Sequence, residues 1–143
     1  MITFREYEIN SREYDMELSL RSRILREPLG LELSDADVSL DHRKRHIGAF
    51  NSDSLVGSVE IEQLDEFNFH FSQMAVSVSY QGRGIGSNLI KYAEAICASV
   101  GAKSIRLKAR GYAVGFYESC GYAVCSDVFE LVGIPHFLME KSI

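Results

Sequence analysis

The segment Gln81–Ser87 contains the residue types that most directly suit a chemical task, since it reads Gln-Gly-Arg-Gly-Ile-Gly-Ser. Glycines let the main chain approach an anion without an intervening Cβ, and they tolerate positive φ. Free backbone N–H groups at the start of a helix, together with the positive end of the helix dipole, suit a phosphate. Arg83 adds a cation within the segment. The segment therefore predicts a phosphate-binding turn.

A strand must precede this turn and a helix must follow it. Val76 and Val78 alternate with polar residues, as in a strand. After the turn, apolar residues recur at helical spacing: Ile85, Leu89, Ala93, Ile96, Cys97 and Val100. Gly101 fits the position just after the end of that helix.

Two familiar nucleotide-binding motifs do not fit the glycine segment. No Gly-Lys-Ser/Thr follows at the spacing of a Walker loop, and Leu89 stands where a dinucleotide fingerprint needs its third glycine. On these residues alone, the alternative interpretation is a tight strand–helix connection that binds no ligand.

The strand before the turn has an irregular pattern. Phe67, Phe69 and Phe71 occupy odd positions, whereas Met74 and Val76 occupy even ones. One residue of slip moves every side chain of a strand to the other face. The pattern therefore predicts a β-bulge between Phe71 and Met74.

The remaining segments predict an α/β protein. We expect a helix capped by Asn10-Ser11 and ending near Glu27, before Pro28. Ala113, Phe116, Tyr117 and Cys120 predict a short helix that ends at Gly121. The predicted strands are Thr3–Ile9, His46–Phe50, Leu55–Leu64, Ile105–Ala109, Tyr122–Val132 and Ile134–Met139.

Two carboxylates are alternative candidates for acid–base chemistry. Glu60 and Glu62 share one face of a predicted strand with Ser58. They could act as general bases, but the interpretation we favour is a solvated sheet face.

Length and charge limit the classes of protein. The 143 residues predict a single domain over 1–143, and the net charge of −5 argues against nucleic-acid binding. No apolar stretch is long enough to span a membrane, and the N-terminus lacks the apolar run of a signal peptide, so we expect a cytoplasmic protein. The three cysteines form no metal-ligand pair, and we expect no metal site. A homodimer stays open.

The order of these elements resembles the GNAT superfamily of N-acetyltransferases across nearly the whole chain. Gln81–Gly86 resembles the family's pyrophosphate loop, Gln/Arg-x-x-Gly-x-Gly/Ala. Ala113–Tyr122 resembles its segment Ala-x-x-Phe-Tyr-x-x-x-Gly-Phe/Tyr. The resemblance implies a mixed sheet with a central bulged strand, followed by the pyrophosphate loop and a helix.

The resemblance also implies acetyl-CoA as the cosubstrate. Tyr117 matches the family's general acid, and His70 falls where several members carry a glutamate base. His136 is a weaker candidate on the acceptor side. Arg110 replaces an asparagine of many members and could meet a phosphate instead. The residues implied to bind the cofactor are Met74, Ala75, Val76, Val78, Gln81, Gly82, Arg83, Gly84, Ile85, Gly86, Ser87, Arg110, Ala113 and Phe116.

The implied reaction is transfer of an acetyl group to a primary amine of a small molecule or a peptide. The acidic balance of the chain mildly favours a cationic small molecule as the acceptor. The alternative is a catalytically inactive CoA-binding module with the same fold.

Overall fold

An eight-stranded mixed sheet organises the computed structural model, which describes residues 1–143. The strands are β1 (Ile2–Tyr7), β2 (Arg45–Asn51), β3 (Ser54–Gln63), β4 (Asn68–Val76), β5 (Ser104–Arg110), β6 (Ala123–Val124), β7 (Phe129–Leu131) and β8 (Ile134–Ser142). They follow the order β1-β2-β3-β4-β5-β8-β6, and β7 pairs with β8. The pair β4 and β5 is parallel and all others are antiparallel. The predicted mixed α/β fold is confirmed.

The helices are α1 (Arg12–Arg21), α2 (Asp35–Val38), α3 (Ile85–Ser99) and α4 (Val114–Ser119). Ser11 caps α1 as predicted, since its side chain accepts a hydrogen bond from the N–H of Tyr14. A π-helical turn at Ser22–Arg26 and a 3₁₀ turn at Glu27–Leu29 prolong α1 past its predicted end at Glu27. Pro28 fits there because it lies in the first turn of the 3₁₀ segment, where its missing N–H is not needed.

The sheet is covered on both faces. The larger apolar core lies between the sheet and α3, and it includes Phe69, Phe71, Leu89 and Leu107. A smaller cluster, which includes Leu20 and Phe50, lies under α1. No helix is long and apolar enough to cross a lipid bilayer.

The predicted bulge lies in β4. Ser58 pairs with Ala75, but Glu60 pairs with Ser72, so β4 carries one more residue than β3 between these pairs. Gln73 has a φ of 54°, which marks the inserted turn of the chain. The parallel pairing of β4 with β5 ends at Phe71 and Leu107, and beyond that pair the two strands are no longer bonded to each other.

Three expectations from the sequence were wrong. The strand β4 ends at Val76, and Val78 lies in the 3₁₀ turn Val78–Tyr80. Ser58 and Glu60 do not lie on a solvated face, because α1 covers that face of β3 and both residues are fully buried. The segment Tyr122–Val132 is not one strand. Its two ends pair with different parts of β8, and Ser126 between them accepts a hydrogen bond from the Leu138 N–H, so the chain turns away from a straight path.

Candidate active site

A cleft of about 1130 Å³ opens where β4 and β5 separate. Its walls come from the end of the first helical segment, the bulged part of β4, the glycine loop, β5, α4 and the turn between β7 and β8. The cleft thus brings together the two sequence motifs, which are separated by α3 and β5 along the chain. Their convergence follows from the topology, because β4 and β5 run in parallel and each motif follows one of these strands.

The glycine loop presents a row of free hydrogen-bond donors. None of the backbone N–H groups from Gly82 to Ser87 donates to an acceptor within the protein. Gly82 and Gly84 have φ values of 76° and 78°, which a residue with a Cβ rarely adopts. Gly84 is also the N-cap of α3, so the N–H groups lie at the positive end of that helix. This arrangement is suited to an anion.

Gly86 is required by close packing. A Cβ at this position would lie 3.2 Å from Cζ of Phe116 and 3.4 Å from Cε of Met74. The absence of a side chain therefore keeps the cleft open between the glycine loop and α4. Met74, Phe116 and Ala113, which belong to the predicted cofactor set, all line the cleft.

Other residues of the predicted set have structural contacts of their own. The side-chain amide of Gln81 donates to the Val76 carbonyl at 2.9 Å, which fixes the loop to the end of β4. The Arg83 guanidinium lies over the Tyr80 ring at 5.1 Å, and Arg83 does not line the cleft. Val78 and Ala75 line it, although the Ala75 side chain packs into the cluster under α1.

Tyr117 lies at the base of the cleft. Its ring belongs to the larger core and meets Phe116 and Tyr122 edge-on, with centroid distances of 5.0 and 6.1 Å. The hydroxyl has no hydrogen-bond partner in the protein, and burial raises the pKa of the phenol above its usual value. The group therefore keeps its proton at neutral pH and can donate it.

His70 also lines the cleft, on the opposite face of β4 from Phe69 and Phe71. Its Nε2 atom is buried and has no hydrogen-bond partner. Burial, together with the positive charge of Lys108, lowers the pKa of His70 to about 4. The imidazole is neutral at physiological pH, but it is a weaker base than the ordinary pKa of histidine would give.

Glu60 reaches the cleft through one intermediate side chain. Ser72 lines the cleft, and its hydroxyl donates to Glu60 Oε1 at 3.4 Å. Burial, reinforced by the neighbouring Asp41, raises the pKa of Glu60 to about 7. A carboxylate with that pKa suits proton transfer near neutral pH. Glu62 pairs with His70 across the strands but does not line the cleft.

Glu60 belongs to a buried charged cluster that the sequence did not indicate, formed by Glu17, Arg21, Asp41, His46 and Glu60. Arg21 donates to Glu17 at 3.0 Å and to Asp41 at 2.6 Å. His46 contacts Glu17 through Nδ1 and the Asp41 carbonyl through Nε2, both at 2.9 Å. Both partners can accept a hydrogen bond, so these contacts favour a ring that carries two protons. Although burial opposes its charge, the bond to Glu17 raises the pKa of His46.

One local signal could have pointed to this cluster. Glu17 and Arg21 are four residues apart, so they share one face of α1. Their partners on β2 and β3 are distant in sequence. Glu17, His46 and Glu60 are also close enough together to ligate a metal, but Arg21 supplies a positive charge at the same place.

Arg110 and His136 lie on neighbouring strands and both line the cleft. Arg110 donates to the Leu25 carbonyl at 2.7 Å and to the Tyr112 hydroxyl at 3.1 Å. These contacts hold its guanidinium toward the end of the first helical segment, and the prediction that it meets a cofactor phosphate gains no support from them. His136 is buried, with Nδ1 3.0 Å from the Ile134 carbonyl.

A sequence profile described as the acetyltransferase (GNAT) domain matches residues 32–143. The chain belongs to the GNAT acetyltransferase family. The uncharacterized N-acetyltransferase YjcF of Bacillus subtilis (strain 168) is 31% identical over 103 residues, which cover 71% of this chain and 73% of that protein.

Solved structures agree on the fold. An acyl-CoA N-acyltransferase from Pseudomonas aeruginosa superimposes with a TM-score of 0.85 at 17% identity, covering 99% of both chains. A GNAT acetyltransferase from Elizabethkingia anophelis, solved with acetyl-CoA bound, gives a TM-score of 0.76 at 16% identity and covers 99% of this chain and 98% of that one. At these identities the similarity concerns the fold alone.

Proposed function

We propose that the protein transfers the acetyl group of acetyl-CoA to a primary amine by direct attack within a ternary complex. The observation that carries this proposal is the run of unbonded N–H groups at Gly82–Ser87, placed at the edge of a cleft that separates β4 from β5. These N–H groups have no acceptor within the protein, and the run that extends from the first turn of α3 back to Gly82 suits a pyrophosphate. We also propose the cytoplasm as its location.

The bulged part of β4 would bind the extended arm of the cosubstrate. Beyond Phe71 the main chain of β4 has no partner on β5, so the polar groups on that edge that bond neither β3 nor Gln81 are available to an amide-containing chain. By the family resemblance, an N–H near Val76 would face the thioester carbonyl and stabilise the oxyanion of a tetrahedral intermediate. Ala113 and Phe116 would lie near the adenine.

Tyr117 would act as the general acid. The amine nitrogen bonds to the carbonyl carbon, and the carbon–sulfur bond then breaks to release a thiolate. The phenol gives its proton to that sulfur, and the amine gives its proton to a base. Solvent then takes the proton from the base and restores the phenol. The hydroxyl of Tyr117, which has no hydrogen-bond partner in the protein, and the position of this residue in the cleft lining support this assignment.

Two groups compete for the role of base. His70 faces the cleft directly but has a pKa of about 4. Glu60 has a pKa of about 7 and would receive the proton through Ser72. The pH dependence of kcat/KM distinguishes them, because the acidic limb would lie near pH 4 for His70 and near pH 7 for Glu60. His70→Ala should remove the first limb, and Glu60→Gln the second.

The alternative is a CoA-binding module without catalysis. Both proposals are tested by calorimetric binding of acetyl-CoA alongside thiol release in the presence of a panel of amines. Binding together with amine-dependent thiol release supports the enzyme. Binding without release on any amine supports the module, and absence of binding contradicts both.

A further inference from the structure

The residues that line the cleft include no aspartate or glutamate. This is unexpected for the chain as a whole, which has 20 acidic residues, 15 lysines and arginines, and a net charge of −5. The acidic residues are therefore placed away from the cleft. The charged residues that do line it are Arg23, Arg26, Lys108 and Arg110.

These cations lie on the side of the sheet that α1 covers. Leu107 and Ala109 point into the core beneath α3, so Lys108 and Arg110 project from the other face of β5. Arg23 and Arg26 belong to the π-helical turn that follows α1. The glycine loop that we assign to the pyrophosphate precedes α3, so the cations and the loop bound different parts of the cleft.

Three of the four cations have no carboxylate partner. Arg26 is paired with Asp37 at 3.1 Å, but Arg23 and Arg110 bond only to carbonyl or hydroxyl oxygens, and Lys108 forms no ion pair. Glu60, the carboxylate just behind Ser72, is already compensated by Arg21 and Lys44, each at 3.5 Å. The α1 side of the cleft therefore has an excess of positive charge.

This excess of positive charge affects both the reacting amine of an acceptor and any other charged group that the acceptor carries. A positive environment disfavours an ammonium group and so favours the neutral amine, which is the form that attacks a thioester. It also attracts an anion and repels a polycation. Leu25, Pro28 and Leu131 provide apolar surface next to the cations, where water screens the charges less than in the open.

We propose that the acceptor is an amine that also carries an anionic group, a carboxylate or a phosphate, and that Lys108, Arg110 and Arg23 bind this group. The proposal rests on the acetyl-transfer function inferred above. It replaces the cationic acceptor expected from the net charge, because the local charge of the cleft has the opposite sign to that of the whole chain.

The test compares acceptors that differ in the anionic group. The matched pairs are L-phenylalanine with L-phenylalaninamide, 5-aminopentanoate with 5-aminopentanamide, and phosphoethanolamine with ethanolamine. Acetyl-CoA is saturating, thiol release gives kcat/KM for each amine, and calorimetry gives its affinity for the CoA complex. We expect the anionic member of at least one pair to be preferred by a factor of about 10 or more. The preferred pair distinguishes a carboxylate from a phosphate.

A substitution then locates the anion site. Lys108→Met keeps most of the length of the side chain but removes its charge, and it should reduce the preference for the anionic member about fivefold. Lys91→Met is the matched control, because Lys91 is exposed on α3 and does not line the cleft.

Each outcome bears on one proposal or the other. Equal or better use of the neutral member in every pair overturns the anionic acceptor and leaves acetyl transfer intact. If no amine releases thiol, acetyl transfer fails, and the calorimetric affinities decide the anion site: tighter binding of the anionic members supports it and equal binding overturns it. A preference that survives in Lys108→Met to the same extent as in Lys91→Met contradicts the placement.

Discussion

On the α3 face of the sheet the buried side chains are almost all apolar, whereas on the α1 face charged side chains are buried beside aromatic rings. The apolar face holds the strands, α3 and α4 in fixed positions around the glycine loop. The charged face includes a polar route from the protein interior to the cleft, through Glu60 and Ser72. In the proposed reaction the apolar face would position the cosubstrate and supply the acid Tyr117, and the charged face would supply the base and the positive charge of the cleft.

The two faces contribute to the free energy of unfolding in different ways. Apolar burial contributes about 25 cal/mol per Å² and tolerates changes of shape better than changes of charge. A buried ion pair contributes little on balance, but removal of one partner is costly because the other charge remains buried. The following predictions test this comparison, from the largest expected effect to the smallest.

Tyr117→Phe tests whether the apolar face contributes a reacting group. Loss of the hydroxyl should reduce turnover by about 10²–10⁴-fold with little change in acetyl-CoA affinity, because the ring keeps its packing. Tyr122→Phe is the control, since it lies in the same core and its hydroxyl bonds only to Glu94. Wild-type turnover in Tyr117→Phe, with chemistry limiting the rate, would leave Tyr117 as a packing residue.

Arg21→Met tests the buried charges under α1. The substitution leaves the carboxylates of Glu17, Asp41 and Glu60 without their shared cation, so the free energy of unfolding should fall by about 3–5 kcal/mol. Arg45→Met removes an exposed pair with Glu6 and should cost less than about 1 kcal/mol. Urea unfolding measures both. Equal effects would mean that burial does not distinguish the two pairs.

Gly84→Ala tests the backbone of the glycine loop. An alanine rarely adopts the positive φ of this position, so the adjacent N–H groups should change direction. The affinity for acetyl-CoA should therefore fall about tenfold, or about 1.4 kcal/mol. Gly101→Ala has a similar strain at φ 93° with free space around it, beyond the far end of α3. Calorimetry should show normal affinity in this control, and an equal loss in both variants would contradict the loop assignment.

The charged face should also make stability depend on pH. The folded-state pKa of Glu60, about 7, is above its unfolded value, so the folded protein binds more protons and loses stability as pH rises through 7. The raised pKa of His46 acts in the same direction. Glu60→Gln should reduce the fall between pH 6 and pH 8 by about 1 kcal/mol. An unchanged pH dependence would show that Glu60 is ionised throughout this range.

The apolar face was largely predictable from the sequence. The helical spacing of Leu89, Ala93 and Cys97 predicted α3, and the change from odd to even apolar positions between Phe71 and Met74 predicted the bulge. Both patterns are local consequences of side-chain direction. The charged face was not predictable in this way. In the sequence, Glu60 looked solvated because its strand alternates normally. Its burial is possible because α1 packs on this face and its Arg21 places a positive charge next to the carboxylate.

The candidate site also has one part that was predictable from local sequence and one part that was not. The glycine loop and Tyr117 lie in segments with local signatures, and the structure brings both to the cleft. The route from Ser72 to Glu60 and the cations of the α1 side depend on contacts between residues distant in sequence. Net charge gave the wrong sign for the cleft lining, since charge summed over a chain says nothing about where the charges lie.

The central claim is that the N–H groups of Gly82–Ser87 bind the pyrophosphate of acetyl-CoA, and ¹H–¹⁵N spectra test it most directly. Titration with CoA should shift the amide signals of these residues more than those elsewhere on α3, and titration with pantetheine, which lacks the pyrophosphate, should leave them nearly unchanged. Saturable CoA binding with unshifted loop amides, or equal shifts with both ligands, would contradict the account.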